Sequence, residues 1–124
     1  MVSAGGAGMK APKDPCVYLH HIQDECSFII ETVSGITKEE FMQSRLIQGS
    51  MRNSIMIIGE AVSYLPETFC TGHAEIPWRK MQDTRNRYIH GYFSIDPMRV
   101  WILISNDIPE LKPLIDALME KVCG

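Results

Sequence analysis

The chain has 124 residues, enough for one domain with a single hydrophobic core but not for two. Hydrophobic residues make up 45% of it and charged residues 22%, as in an ordinary globular protein. The formal net charge of −3 excludes a global basic field, so any binding of nucleic acid must come from a local patch.

The N-terminal end is rich in glycine and lacks the charged start and apolar middle of a signal peptide. We expect residues 1–13 to be a flexible extension and residues 14–124 to form one helical domain. No apolar run approaches the roughly 20 residues that cross a bilayer, so the sequence predicts a cytoplasmic protein without a membrane partner.

Apolar side chains recur at steps of three and four from the start of this domain, which predicts helices. The first helix is expected over roughly residues 14–34, with Gly35 ending it. Thr37 and Glu40 have the spacing of a capping box, which begins a short second helix carrying Phe41.

A longer third helix is predicted by an apolar stripe from Leu46 to Leu65, and it ends before Pro66. Residues 66–76 hold proline, glycine and threonine and predict a loop. Gly49 lies inside this helix, where glycine costs about 1 kcal/mol relative to alanine. Either another backbone approaches closely there, for instance that of a partner helix, or the helix is locally weak.

A fourth helix is predicted to begin with Pro77 in its first turn and to end near His90. Asp96 and Pro97 are expected to be the N-cap and first residue of a fifth helix. Two later prolines remove backbone donors and are expected to kink or restart it, namely Pro109 and Pro113. Nothing alternates with period two, so the sequence predicts an all-α bundle of four to five helices.

Cysteine and histidine give little sign of a metal or cofactor site. No two of the four cysteines have the Cys-x-x-Cys spacing of a zinc or thioredoxin-like site, and reduced thiols in the core are favoured over disulfides. His20 and His21 lie one helical turn before Asp24 and Glu25, but one helix alone supplies them. A solvated polar face is therefore favoured over a metal site, and no cofactor is expected.

The segment from Arg85 to Tyr92 has the pattern Arg-x4-His-x-Tyr, and its side chains suit phosphate chemistry. Cleaving RNA without a metal needs a base for the ribose 2′-OH, an acid for the leaving oxygen and positive charge on the phosphorane. His90 can transfer protons near neutral pH, and Arg85 presents a planar fork of donors. Asn86 can orient either one, and Arg87 can contact the substrate backbone.

The helical register separates the two central side chains of this motif. Five residues turn through about 500°, which leaves Arg85 and His90 about 140° apart around the axis. They can converge where the helix ends, or a two-fold dimer can place both motifs across one cleft. We favour the dimer. Taken alone, an arginine and a histidine at this spacing are usually part of a solvated face.

Glu60 lies between two small residues, Gly59 and Ala61, where helices can approach closely. We expect it to be buried and hydrogen-bonded to an arginine such as Arg52 or Arg85, in a supporting role.

Several ordered segments resemble the HepT toxins of the HEPN superfamily, which are ribonucleases, and the resemblance covers roughly residues 14–122. They are Thr37-Lys38-Glu39-Glu40-Phe41, Ile57-Ile58-Gly59-Glu60-Ala61, Ile76-Pro77-Trp78, Arg85 to Tyr92, Ile95-Asp96, Val100-Trp101 and Ile108-Pro109-Glu110-Leu111.

The resemblance implies a homodimeric helical bundle that cuts RNA without a metal, with Arg85 and His90 catalytic and Asn86 supporting them. It also implies a cognate partner, a MntA-like nucleotidyltransferase antitoxin that transfers AMP to Tyr92. The resemblance further implies that this antitoxin and the toxin form a hetero-oligomer, as part of a type VII-like toxin–antitoxin system. Two features depart from the family: Asp83, which can pair with Arg85, and Gly49. The alternative is a non-catalytic helical partner that helps a small nucleotidyltransferase to hold nucleotide or substrate.

Overall fold

The structure is a computed structural model, and it describes residues 14–91 and 94–124. Within these ranges no strand forms, and the predicted all-α class is confirmed. The expected extension at 1–13 lies outside the described residues. The elements in chain order are α1 (Pro15–Ser34), α2 (Lys38–Gln43), α3 (Arg45–Ser63), α4 (Glu67–Thr71), α5 (Trp78–His90), α6 (Pro97–Ile102), a π-helical segment (Leu103–Asp107) and α7 (Ile108–Val122).

Side chains cap the helices where the sequence predicted it. The Thr37 hydroxyl accepts a bond of 3.1 Å from the Glu40 amide, and the Glu40 carboxylate accepts one of 2.8 Å from the Thr37 amide. Asp96 likewise accepts a bond of 3.0 Å from the Met98 amide at the start of α6. Each bond satisfies a backbone N–H that has no partner within its helix, which fixes the start of α2 and of α6.

The segment predicted as a loop at 66–76 contains the short helix α4, so that prediction was wrong in part. Pro77 is the N-cap residue of α5 and not part of its first turn. The indole N–H of Trp78 donates to the His73 carbonyl over 2.9 Å, which ties the turn after α4 to the start of α5. Tertiary contacts of this kind leave no local signature in a sequence.

The two later prolines behave differently from one another. Pro109 lies in the first turn of α7, directly after the π-helical segment, so a new α-helix does begin there. The wider turn upstream gives the proline ring room beside the preceding carbonyls. Pro113 lies inside α7, which continues to Val122. The expected interruption therefore occurs at one proline only.

The core lies between α1, α3 and α7, with α5 packed against the outer side of α3. Its largest fully buried side chains include Phe41, Leu19, Ile22, Ile29, Met51, Ile58, Ile104 and Ile115. Leu46, which the apolar stripe of α3 placed in the core, is instead 83% exposed, since it lies in the first turn of that helix. In the part of the chain that the structure describes, no helix is long and apolar enough to span a membrane.

A disulfide between Cys16 and Cys123 closes the bundle, and the expectation of four reduced thiols was wrong for this pair. Helices α1 and α7 pack side by side, and Gln23 donates to the Asp116 carboxylate over 2.8 Å further along them. The two contacts indicate antiparallel helices, which bring the start of α1 to the end of α7. Cys26 and Cys70 remain free, the first buried and the second half-buried.

Candidate active site

The motif helix α5 lies unusually close to α3 at Gly59. A Cβ atom added at that position would lie 2.3 Å from the Cβ of Arg85 and 2.9 Å from the Met81 carbonyl oxygen. No side chain fits there without moving backbone, since non-bonded carbon atoms pack at about 3.5–4.0 Å. The absence of a side chain at Gly59 therefore sets the distance between the two helices, and with it the position of Arg85.

Two side chains orient the guanidinium of Arg85. Its Nη2 atom donates to the Glu60 carboxylate over 2.5 Å, and its Nη1 atom donates to the Asn86 Oδ1 atom over 2.8 Å. The Arg85 side chain is 27% exposed, and its buried Nε atom has no hydrogen-bond partner among the described residues. Because guanidinium has five N–H donors, one N–H on each Nη atom remains available to a phosphate oxygen.

The Glu60 contact agrees with what the sequence suggested, an arginine bond to a carboxylate between two small residues. The partner is Arg85, but the Glu60 side chain is 45% exposed, so the expected burial of this carboxylate was wrong and the pair is only partly desolvated. Asp83, the other candidate partner for this arginine, is exposed on a different side of α5. The carboxylate that restrains Arg85 therefore comes from α3 and not from the residues before the motif.

His90 is the last residue of α5, and it is exposed. The Gly91 amide makes the last helical bond, to the Arg87 carbonyl over 2.8 Å, and the backbone of Gly91 then leaves helical geometry, with φ −126° and ψ 39°. Asn86 lies one turn before His90 and Arg87 lies three residues before it, so both neighbour the imidazole on the helix surface. No bond within the described residues joins His90 to Arg85. Tyr92, the predicted AMP acceptor, lies outside the described residues.

A groove with cationic side chains on both walls runs between α5 and α6, and no sequence pattern predicted it. Arg87 and Lys80 line it from α5, while Arg99 lines it from α6. Tyr88 forms its buried side; burial raises the pKa of this phenol, and the nearby Arg52 and Arg87 oppose the rise. Arg99 reaches the same groove as Arg87 because of how α6 packs on α3, which helix periodicity does not predict.

Among the residues that the structure describes, no group of three or more histidine, cysteine, aspartate or glutamate side chains has the geometry to hold a metal ion. His20 and His21 are both exposed on α1, next to the disulfide end of the bundle. Their surroundings are those of a solvated polar face.

Together these features define an all-helical protein with a restrained arginine and an exposed histidine on one helix. The model of the family described as "Ribonuclease HepT-like" matches residues 22–118. The chain belongs to this HepT-like ribonuclease family.

Named relatives extend over nearly the same length. The chain is 38% identical to "Putative RNase TTE0752" of Caldanaerobacter subterraneus subsp. tengcongensis, over 88% of this chain and 97% of that protein. It is 36% identical to "Probable ribonuclease HepT" of Thermococcus cleftensis, over 82% and 92% of the two chains. No solved structure gives a significant match.

Proposed function

We propose that this protein is a metal-independent endoribonuclease toxin whose catalytic residues are Arg85 and His90. The observation that carries the proposal is the guanidinium of Arg85, which Glu60 and Asn86 hold from two sides while N–H donors remain free. An arginine whose role was only to pair with a carboxylate would not need its side chain packed so closely on Gly59 of α3. Membership of the HepT-like family supports the same reaction.

In the proposed reaction His90 takes the proton of the ribose 2′-OH, and the oxygen then attacks the adjacent phosphorus. The bond between phosphorus and the 5′-oxygen breaks, the leaving oxygen takes a proton from water, and a 2′,3′-cyclic phosphate remains on the upstream fragment. His90 then returns its proton to the solvent. Charge accumulates on the non-bridging oxygens during the attack, and the free N–H donors of Arg85 stabilise it there. Since Arg85 is restrained before substrate arrives, little reorganisation is needed in the transition state.

We further propose that the complete site forms across a two-fold dimer, with Arg85 of one subunit facing His90 of the other. Arg85 is turned toward α3 by Glu60, whereas His90 is exposed at the end of α5. Ile89 lies within the motif, one turn after Arg85, and its side chain is 43% exposed, which leaves an apolar surface for a partner. A partner subunit against this face would bury Ile89 and join the two halves of the motif.

The direct test is cleavage of a single-stranded oligoribonucleotide in EDTA, with product ends identified by mass spectrometry. We expect 2′,3′-cyclic ends from the wild type and a loss of at least about 100-fold in rate for Arg85→Ala and for His90→Ala. Asp83→Ala is the control on the same helix, because this carboxylate is exposed and does not pair with Arg85. Absence of cleavage by the folded wild type would favour the non-catalytic partner of a nucleotidyltransferase.

We also propose that a MntA-like nucleotidyltransferase antitoxin silences the enzyme by transferring AMP to Tyr92. Tyr92 follows His90 by two residues in the chain, so an added phosphate and adenine would repel RNA and obstruct it close to the motif. Co-expression with such an antitoxin should increase the mass of the protein by one or more AMP units and abolish cleavage. Tyr92→Phe should remain unmodified, and modification of that variant would contradict the assignment of the acceptor.

A further inference from the structure

We propose that the groove between α5 and α6 is the track that holds the phosphate backbone of a single-stranded RNA as it approaches His90. This proposal rests on the proposed ribonuclease function and names a substrate-binding surface for it. The groove is lined by both helices, from Lys80 to Gly91 on one side and from Ser94 to Asp107 on the other.

The groove carries a net positive charge, although the chain as a whole carries a net charge of −3. Three cations line it, Lys80, Arg87 and Arg99, against two carboxylates, Asp96 and Asp107. Both carboxylates are engaged: Asp107 accepts a bond of 2.9 Å from Lys80, and Asp96 caps α6. Arg87 and Arg99 make no ion pair with any described residue, and both are exposed. Two arginines thus remain for an external anion.

The groove is partly open to solvent, and its volume is about 810 Å³. That volume lies within the range of small-molecule pockets, about 300–1,000 Å³, so size alone does not identify the ligand. Pockets for small molecules enclose most of their ligand, however, whereas this groove leaves one side open. An open, arginine-lined channel is the form that tracks a nucleic-acid backbone without reading its bases.

The groove also leads to the predicted catalytic histidine. Arg87 lies on the groove, and His90 lies three residues later, next to it on the surface of α5. A phosphate bound between Arg87 and Arg99 would therefore be close to His90 along the same strand. This local basic surface also removes the conflict between a net charge of −3 and an RNA substrate.

The test is the affinity of a fluorescein-labelled single-stranded oligoribonucleotide for His90→Ala protein, which cannot cleave the probe during the measurement. Adding Arg99→Ala should weaken binding about 5- to 10-fold, as expected for the loss of one typical hydrogen bond at a solvent-exposed site. It should also reduce the slope of log affinity against log salt by about 0.7, the value for one phosphate contact to a single strand. Arg99→Lys should retain most of the slope.

Lys121→Ala is the control matched in charge, since Lys121 is exposed at the end of α7, outside the groove. It should change neither the affinity nor the slope. Unchanged binding by the Arg99→Ala protein would overturn the proposal. The same holds if 5′-AMP displaces the labelled probe as effectively as an equal concentration of unlabelled RNA strand. The proposal would also be overturned if the Arg99→Ala protein still bound RNA but no longer bound an acidic protein. If the wild-type protein binds RNA through Arg99 but does not cleave it, the proposed ribonuclease activity is refuted. The groove would then still be supported as an RNA-binding surface.

Discussion

At the scale of single residues, the same arginine has both a structural and a proposed chemical role. Arg85 packs its stem on Gly59 and pairs its guanidinium with Glu60, yet keeps donors for phosphate. A partly exposed ion pair contributes little to stability, about 0–1 kcal/mol. The larger effect of Glu60 is to fix where the guanidinium points, which makes it a positioning residue.

Cys26 has the clearest shift in acidity. Burial raises the pKa of this thiol to about 12, and the Asp116 carboxylate adds to the rise. In the unfolded chain the thiol ionises near pH 8.5. The folded pKa is the higher one, so this contribution to stability is complete below about pH 8.5 and declines as the pH rises from there toward 12.

We expect two results from Cys26. Iodoacetamide at pH 8.5 should modify it only as fast as the protein unfolds, and should modify the half-buried Cys70 sooner. The free energy of unfolding should fall between pH 8.5 and 10, by at most about 1.4 kcal/mol per pH unit for each such thiol. Peptide mapping after alkylation measures the first and urea denaturation the second. Modification of Cys26 at the rate seen in urea would contradict its burial.

At the scale of helices, local signals predicted local structure well. The capping box of Thr37 and Glu40 and the N-cap of Asp96 were correct because each bond spans at most three residues. The stripe of α3 was correct except at Leu46, whose position in the first turn faces solvent. Helix α4 was missed, since its five residues are too few for periodicity to detect.

The two glycines of α3 give a matched pair of substitutions. Gly59→Ala should lower the free energy of unfolding by about 1–3 kcal/mol, because the added Cβ meets Arg85 at 2.3 Å. It should also reduce RNA cleavage by displacing Arg85. Both effects are measurable on the same preparation, by urea denaturation and by the rate of cleavage.

Gly49→Ala is the control, because the nearest atom to its new Cβ would be the Arg52 Nη2 atom at 3.9 Å. No close approach to Gly49 occurs within the described residues, so alanine should raise stability by up to about 1 kcal/mol. Loss of a dimer in this variant would instead identify Gly49 as the approach point of a partner helix. Equal destabilisation by both substitutions would contradict the assigned packing of α5 on α3.

At the scale of the whole molecule, contacts distant in sequence were the ones that sequence patterns missed. Cys16 and Cys123 are 107 residues apart, and only the antiparallel packing of α1 and α7 brings them together. Arg87 and Arg99 line one groove for a comparable reason, because α5 and α6 both pack on α3. Arg85 and His90 were singled out from the sequence by their spacing, and the structure places both in α5, while their catalytic role stays a prediction.

The disulfide leads to a prediction about global stability. A cross-link that closes a loop of about 100 residues stabilises by about 4–5 kcal/mol in the chain-entropy model. Cys16→Ser combined with Cys123→Ser should therefore lower the urea midpoint substantially, and dithiothreitol should do the same to the wild type. Dithiothreitol should have no further effect on the double variant. A wild-type midpoint that is insensitive to dithiothreitol would contradict a stabilising cross-link.

The central claim is that Arg85 and His90 act together across a dimer to cleave RNA, and mixing two inactive variants tests it most directly. Arg85→Ala and His90→Ala proteins, unfolded together and refolded, form mixed dimers in which one of the two sites keeps both side chains. Random pairing predicts recovery of about one quarter of wild-type cleavage, with each variant alone inactive. A mixture no more active than its components would contradict a site built from Arg85 of one subunit and His90 of the other.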